Sequence, residues 1–124
     1  MEHFIAMTVI VLIVEDEPLL RIAAVDLVEE AGFVAIEASD ADEAIRILET
    51  RSDIHIVFTD IDMPGSMDGL KLAAAVRAKW PPISIIVVSG HRKPALGELP
   101  AGTVFFSKPY PHDAVVSALR QFAA

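Results

Sequence analysis

Residues able to do chemistry occur at four points in this sequence, each directly after an apolar run. Glu15, Asp16 and Glu17 follow VLIV, Asp60 and Asp62 follow VFT, Ser89 and Gly90 follow IIVV, and Lys108 with Pro109 follows VFFS. In an open parallel sheet the ligand site forms beyond the carboxyl ends of the strands. If the apolar runs are neighbouring strands, several carboxylates, one hydroxyl and one ammonium converge on one rim. Two carboxylates about 4 Å apart repel by about 4 kcal/mol at an effective dielectric of about 20, so such a cluster calls for a cation. Oxygen-only donors with few protein ligands favour magnesium, which keeps several waters and is readily shared with a phosphate. Lys108 adds a compact positive charge on the other side of Asp60.

The elements that must position these groups are legible. Residues 8–14, 33–38, 55–59, 83–88 and 103–106 are short runs rich in Val, Ile and Phe and read as strands. Helical patterns lie between them. Pro18 suits a first turn and Gly32 a stop, bracketing Leu20, Ala23, Ala24, Leu27 and Val28 on one apolar face. Asp40 is an expected N-cap with Glu43 three residues on, opening a helix that carries Ala44, Ile45 and Leu48. A third helix is expected over residues 69–79, with Leu70, Ala73, Ala74 and Val76 inward and Pro81 ending it. The last starts near Pro111 and carries Ala114, Val115, Ala118, Leu119 and Phe122. Strands alternating with helices predict an α/β fold with a parallel sheet.

At 124 residues and 53% hydrophobic, the chain fits one domain. We expect a tail over residues 1–7 and a single domain over residues 8–124. Cysteine is absent, which fits a reducing compartment and makes the cytoplasm the expected location. A net charge of -8 disfavours nucleic acid and anionic membrane surfaces as partners. The apolar opening, residues 4–14, is about eleven residues against the roughly 20 needed to span a bilayer. It is preceded by Glu2 where an export signal would carry positive charge.

The strings VLIVEDEP, VFTDIDMPG, VVSG and FFSKPY resemble the four signature segments of bacterial two-component response-regulator receiver domains, in the family's order and across nearly the whole chain. The resemblance is to the single-domain, chemotaxis-receiver-like kind, since the chain ends with its last helix. It implies a flavodoxin-like, doubly wound five-stranded parallel sheet of order 2-1-3-4-5 with about five helices. It also implies that Asp60 accepts a phosphoryl group, with Mg2+ bound directly by Asp16 and Asp60, through water by Glu15, and by the backbone carbonyl of Asp62. Ser89 matches the switch hydroxyl, Gly90 a small residue leaving room, Lys108 the lysine that neutralises phosphoryl oxygens, and Phe105 the aromatic switch. Pro109 matches a proline whose preceding peptide bond is typically cis. The implied partners are a sensor histidine kinase or histidine phosphotransfer protein and a downstream protein target, with the chain a monomer or weak homodimer. On this reading it is a phosphoprotein of signal transduction and not an enzyme beyond its own phosphorylation and dephosphorylation.

Simpler readings apply to some positions. Glu17 is assigned to the start of the first helix and Phe106 to packing on the opposite face from Phe105. Trp80 is expected as a partly buried plug at a helix end. His3, His55, His91 and His112 lack a ligand spacing and are read as surface or strand-edge residues. Two departures from the family pattern stand out. Four residues, Gly65, Ser66, Met67 and Asp68, separate Pro64 from Gly69 where three are usual. The stretch from residue 90 to 102 is short and broken by Pro94, Gly97 and Pro100, so the fourth helix is expected to shrink to a turn or two near residues 91–96. The rival functions are an adaptor that uses the fold without phosphorylation, and a phosphatase, since Asp60 and Asp62 also resemble the DxD of the haloacid-dehalogenase family. That family wants Thr or Val where Pro64 stands.

Overall fold

The computed structural model describes residues 8–95 and 97–124. The expected tail, residues 1–7, lies outside the described residues. Five strands, β1 (Ile10–Val14), β2 (Val34–Ala38), β3 (Ile56–Asp60), β4 (Ser84–Ser89) and β5 (Thr103–Ser107), form one sheet of order β2-β1-β3-β4-β5. All neighbours are parallel, with Val14 opposite Ala38 and Thr59, Asp60 opposite Val88, and Ser89 opposite Ser107. Four helices complete the chain: α1 (Pro18–Glu30), α2 (Ala41–Thr50), α3 (Gly69–Lys79) and α4 (His112–Ala123).

Both faces of β1, β3 and β4 are buried, which is why these strands read as unbroken apolar runs. Leu12, Val14, Val57, Ile85 and Val87 meet α2 and α3 on one face. Val11, Ile13, Phe58, Ile86 and Val88 meet α1 and α4 on the other. Phe105 and Phe106 divide between the two faces as alternation requires.

Local chemistry sets the helix ends. Glu17 caps α1 by accepting the Leu20 N–H at 2.9 Å, with Pro18 behind it. Gly32, at φ 95, closes α1 in a Schellman arrangement, its N–H donating to Glu29 O and that of Phe33 to Val28 O. Asp40 accepts from Glu43 N at 2.8 Å while the Glu43 carboxylate takes the Ser39 N–H. Asp68 accepts from Lys71 N at 2.9 Å at the head of α3. Trp80, half-buried, is the C-cap of α3.

Three expectations change. Leu20 is 46% exposed and Ala23 is also exposed, so the core face of α1 narrows to Ala24, Leu27 and Val28. In α3, Leu72 is buried and Ala74 is not. The shortened fourth helix does not form among the described residues between β4 and β5. Pro94 and Pro100 withhold backbone donors there, and Gly97 and Gly102 sit at φ 94 and 77, outside helical space. Arg77 of α3 holds this connection instead, donating to Ala101 O at 3.0 Å, Pro81 O at 2.6 Å and Ile83 O at 2.9 Å. Without a covering helix, β5 is only half-buried where β4 is closed.

Candidate functional site

The carboxyl ends of β1, β3, β4 and β5 lie side by side, so sheet topology alone brings Glu15, Asp60, Ser89 and Lys108 onto one rim. Carboxylate oxygens of Glu15, Asp16 and Asp60 lie within 4.8 Å of one another. The Lys108 ammonium is 2.9 Å from Glu15 Oε1 and 3.2 Å from Asp60 Oδ2. The second Asp60 oxygen, Oδ1, is buried with no hydrogen-bond partner. An ionised oxygen left so costs desolvation free energy with no hydrogen bond of its own to offset it.

Burial is the main influence on these groups. It raises the Asp60 carboxyl above its ordinary value, against the charge and hydrogen bond of Lys108. Glu15 is raised for the same reason, against hydrogen bonds from Lys108 and the Glu17 amide. Burial alone would pull Lys108 down, but its hydrogen bond to Glu15 and the charges of Asp60 and Glu15 outweigh it and raise the group. Lys108 therefore stays an ammonium between two reluctant carboxylates.

The rest of the predicted set surrounds this centre. The Asp62 carboxylate shares the cleft but is not one of the clustered trio; its Oδ2 accepts a 2.8 Å hydrogen bond from Ser89 Oγ. Ser89 is 2% exposed, and its carbonyl accepts the Lys108 N–H at 2.9 Å. The Lys108–Pro109 peptide is cis. A methyl added at Gly90 would sit 3.7 Å from Lys108 Cβ, an ordinary contact, so the space at that position is not tight. Phe105 is half-buried beside the helix-free connection. A cleft of about 280 Å³ opens over the acidic trio. An apolar cleft of about 340 Å³ adjoins it, lined in part by the exposed Leu20 and Ala23 and by Tyr110, which packs edge-on against Phe58.

Two contributors were not foreseen. Gly69 presses against the end of β3, where a Cβ would come 1.9 Å from Asp60 O. Its signal in the sequence was a glycine at the first helical position directly after the Asp68 cap. Arg21 donates to Glu15 O at 2.9 Å and to Glu37 Oε1 at 3.1 Å, pinning the loop that carries Asp16. Nothing in the spacing of a single, half-buried helical arginine marks it.

All of the clustered donors are oxygens, one is buried and unsatisfied, and the cleft is open to water. This set suits a hard divalent cation such as Mg2+. Asp16 and Asp60 would hold it, with Glu15 close enough to act through water.

A model of the response regulator receiver domain matches residues 11–120, and the chain belongs to this family. It is 32% identical over 110 residues to the nitrogen assimilation regulatory protein NtrX of Azorhizobium caulinodans, covering 86% of this chain and 24% of that protein. It is 37% identical over 103 residues to sensor kinase CckA of Brucella abortus, covering 82% of this chain and 11% of that protein. The chain thus spans a quarter or less of the curated relatives it first matches. Among solved structures, a response regulator receiver protein from Pseudomonas putida superposes with a TM-score of 0.79 at 30% identity, covering 94% of this chain and 99% of that one. One from Sinorhizobium medicae gives 0.85 at 27% identity, covering 93% and 94%. No helix among the described residues is long and apolar enough to cross a membrane.

Proposed function

We propose that residues 8–124 form a receiver unit in which Asp60 accepts a phosphoryl group from a histidine kinase or histidine phosphotransfer protein. The observation that carries this reading is the free, buried Asp60 Oδ1 beside an ammonium already shared between Asp60 and Glu15. An Asp60 oxygen attacks phosphorus, an O–P bond forms, and the P–N bond of the phosphohistidine breaks with its electron pair going to the imidazole nitrogen, which takes up a proton. Lys108 faces the equatorial oxygens, where charge gathers in the transition state. When bound, Mg2+ would supply a second positive charge to those oxygens. Asp16, Asp60 and the Asp62 carbonyl are its assigned protein ligands, with Glu15 acting through water. Ser89 then turns to the phosphoryl group and Phe105 follows, altering the surface offered to a downstream protein.

Labelling with phosphoramidate or acetyl phosphate in Mg2+ tests the reading. A stable acyl phosphate should form and should be lost in Asp60→Asn. A protein that ignores the donor is an adaptor, and one that turns it over continuously is a phosphatase. Either result defeats the proposal, as does label persisting at the parent rate in Asp60→Asn.

A further inference from the structure

The Ser89 hydroxyl has one proton and two lone pairs, and the structure uses all three. The proton goes to Asp62 Oδ2 at 2.8 Å, and the lone pairs accept from His91 N at 3.3 Å and Arg92 N at 3.2 Å. Asp62 is exposed and reaches the buried hydroxyl from the solvent side. The donor that a phosphoryl oxygen on Asp60 needs is thus committed to another carboxylate two residues further along the same loop.

We propose that the Asp62 side chain is a positioning residue that latches Ser89 in the resting state. This rests on the reading of Asp60 as the phosphoacceptor. Phosphorylation has to exchange the acceptor of the Ser89 proton, from Asp62 Oδ2 to a phosphoryl oxygen. The hydrogen bond is charge-assisted, so breaking it opposes the switch directly. The exchange has a second consequence. As Oγ swings away, the His91 and Arg92 amides lose their acceptor, and both lie at the start of the connection from β4 to β5, which has no helix among its described residues. The latch therefore ties the state of Asp60 to the anchoring of that segment without any movement of a helix.

The loss of a negative charge at position 62 would also favour an anion at Asp60, so the test must separate charge from latch. Beryllofluoride with Mg2+ serves as the phosphoryl probe on the full chain. Asp62→Ala should tighten its binding, and this gain should be about threefold smaller when Ser89→Ala is also present. Asp62→Asn keeps an acceptor oxygen and should gain less than Asp62→Ala in the parent, but equally with Ser89→Ala. Equal gains from Asp62→Ala with and without Ser89→Ala overturn the latch. The unliganded protein gives an independent reading by amide NMR. There, Asp62→Ala alone should shift the His91 and Arg92 resonances, whatever the role of Asp60, and unmoved resonances refute the proposal. Asp60→Asn binding the probe as tightly as the parent would instead defeat the assignment of Asp60. Because Asp62 is exposed, its replacement removes little packing.

Discussion

Replacing Gly69 by alanine tests how closely the head of α3 is pressed onto the end of β3. The added methyl would stand 1.9 Å from Asp60 O, 2.7 Å from Asp60 C and 2.8 Å from Ile61 Cα. An ordinary close C···O approach is about 3.3 Å, so the two segments must separate by about 1.4 Å. Every atom in the clash is backbone, and no side-chain rotation relieves it. Separation also stretches the bond from Gly69 N to Ile61 O, 2.9 Å long here. Overpacking of this kind costs about 1–3 kcal/mol and the weakened hydrogen bond about 1 more, giving about 2–4 kcal/mol in total. Urea unfolding followed by circular dichroism measures it. Displacing Asp60 from Lys108 should also slow phosphoramidate labelling by about tenfold or more. Gly90→Ala is the control, since its methyl meets Lys108 at ordinary contact, and its stability should stay within about 0.5 kcal/mol of the parent. A Gly69→Ala protein as stable as that control, labelling at the parent rate, would show the reasoning to be wrong.

Calorimetric titration should find Mg2+ affinity reduced about tenfold by Glu15→Gln and further by Asp16→Asn, because a direct ligand loses more than one acting through water; the reverse order would contradict the assignment. In metal-free protein, the raised Asp60 carboxyl binds its proton more tightly folded than unfolded, so its charged form destabilises the fold. Asp60→Asn should therefore be more stable than the parent at neutral pH, and the difference should shrink as pH falls through the raised value toward about 4, the ordinary range of carboxylates. A difference that widens on acidification refutes it. Arg77→Ala leaves three carbonyls without their donor and should cost about 2 kcal/mol. In hydrogen exchange, residues 97–102 should exchange faster than α4 in the parent and faster still in Arg77→Ala. Unchanged protection would show that Arg77 does not hold the connection.

The sheet was legible because β1, β3 and β4 are buried on both faces and carry runs of Val and Ile, while cap residues such as Glu17 and Asp40 act within three residues of themselves. The site residues were legible as neighbours because parallel order places strand ends together. What escaped depends on distance along the chain or on a choice between equals. Leu20 and Leu72 are both leucines at helical spacing, and only the docking angle of each helix decides which is covered. The Asp62 carbonyl was the feature expected from the sequence, whereas the contact of its side chain with Ser89 crosses 27 residues and has no local signature. Broken helical propensity between β4 and β5 was plain, but not that Arg77, 24 residues before Ala101, would take over the anchoring.

The ion pair between Lys108 and Glu15 joins residues 93 positions apart, the longest separation among the side-chain hydrogen bonds at the rim. It also fixes a sequence in time. As a chain emerges from the ribosome amino end first, β1 and β3 can pair and gather Glu15, Asp16 and Asp60 well before β5 exists. Until that strand docks, the nascent sheet carries the carboxylates without their ammonium. The last of the five strands therefore supplies the ammonium, and until it docks Asp60 stands among the gathered carboxylates without Lys108.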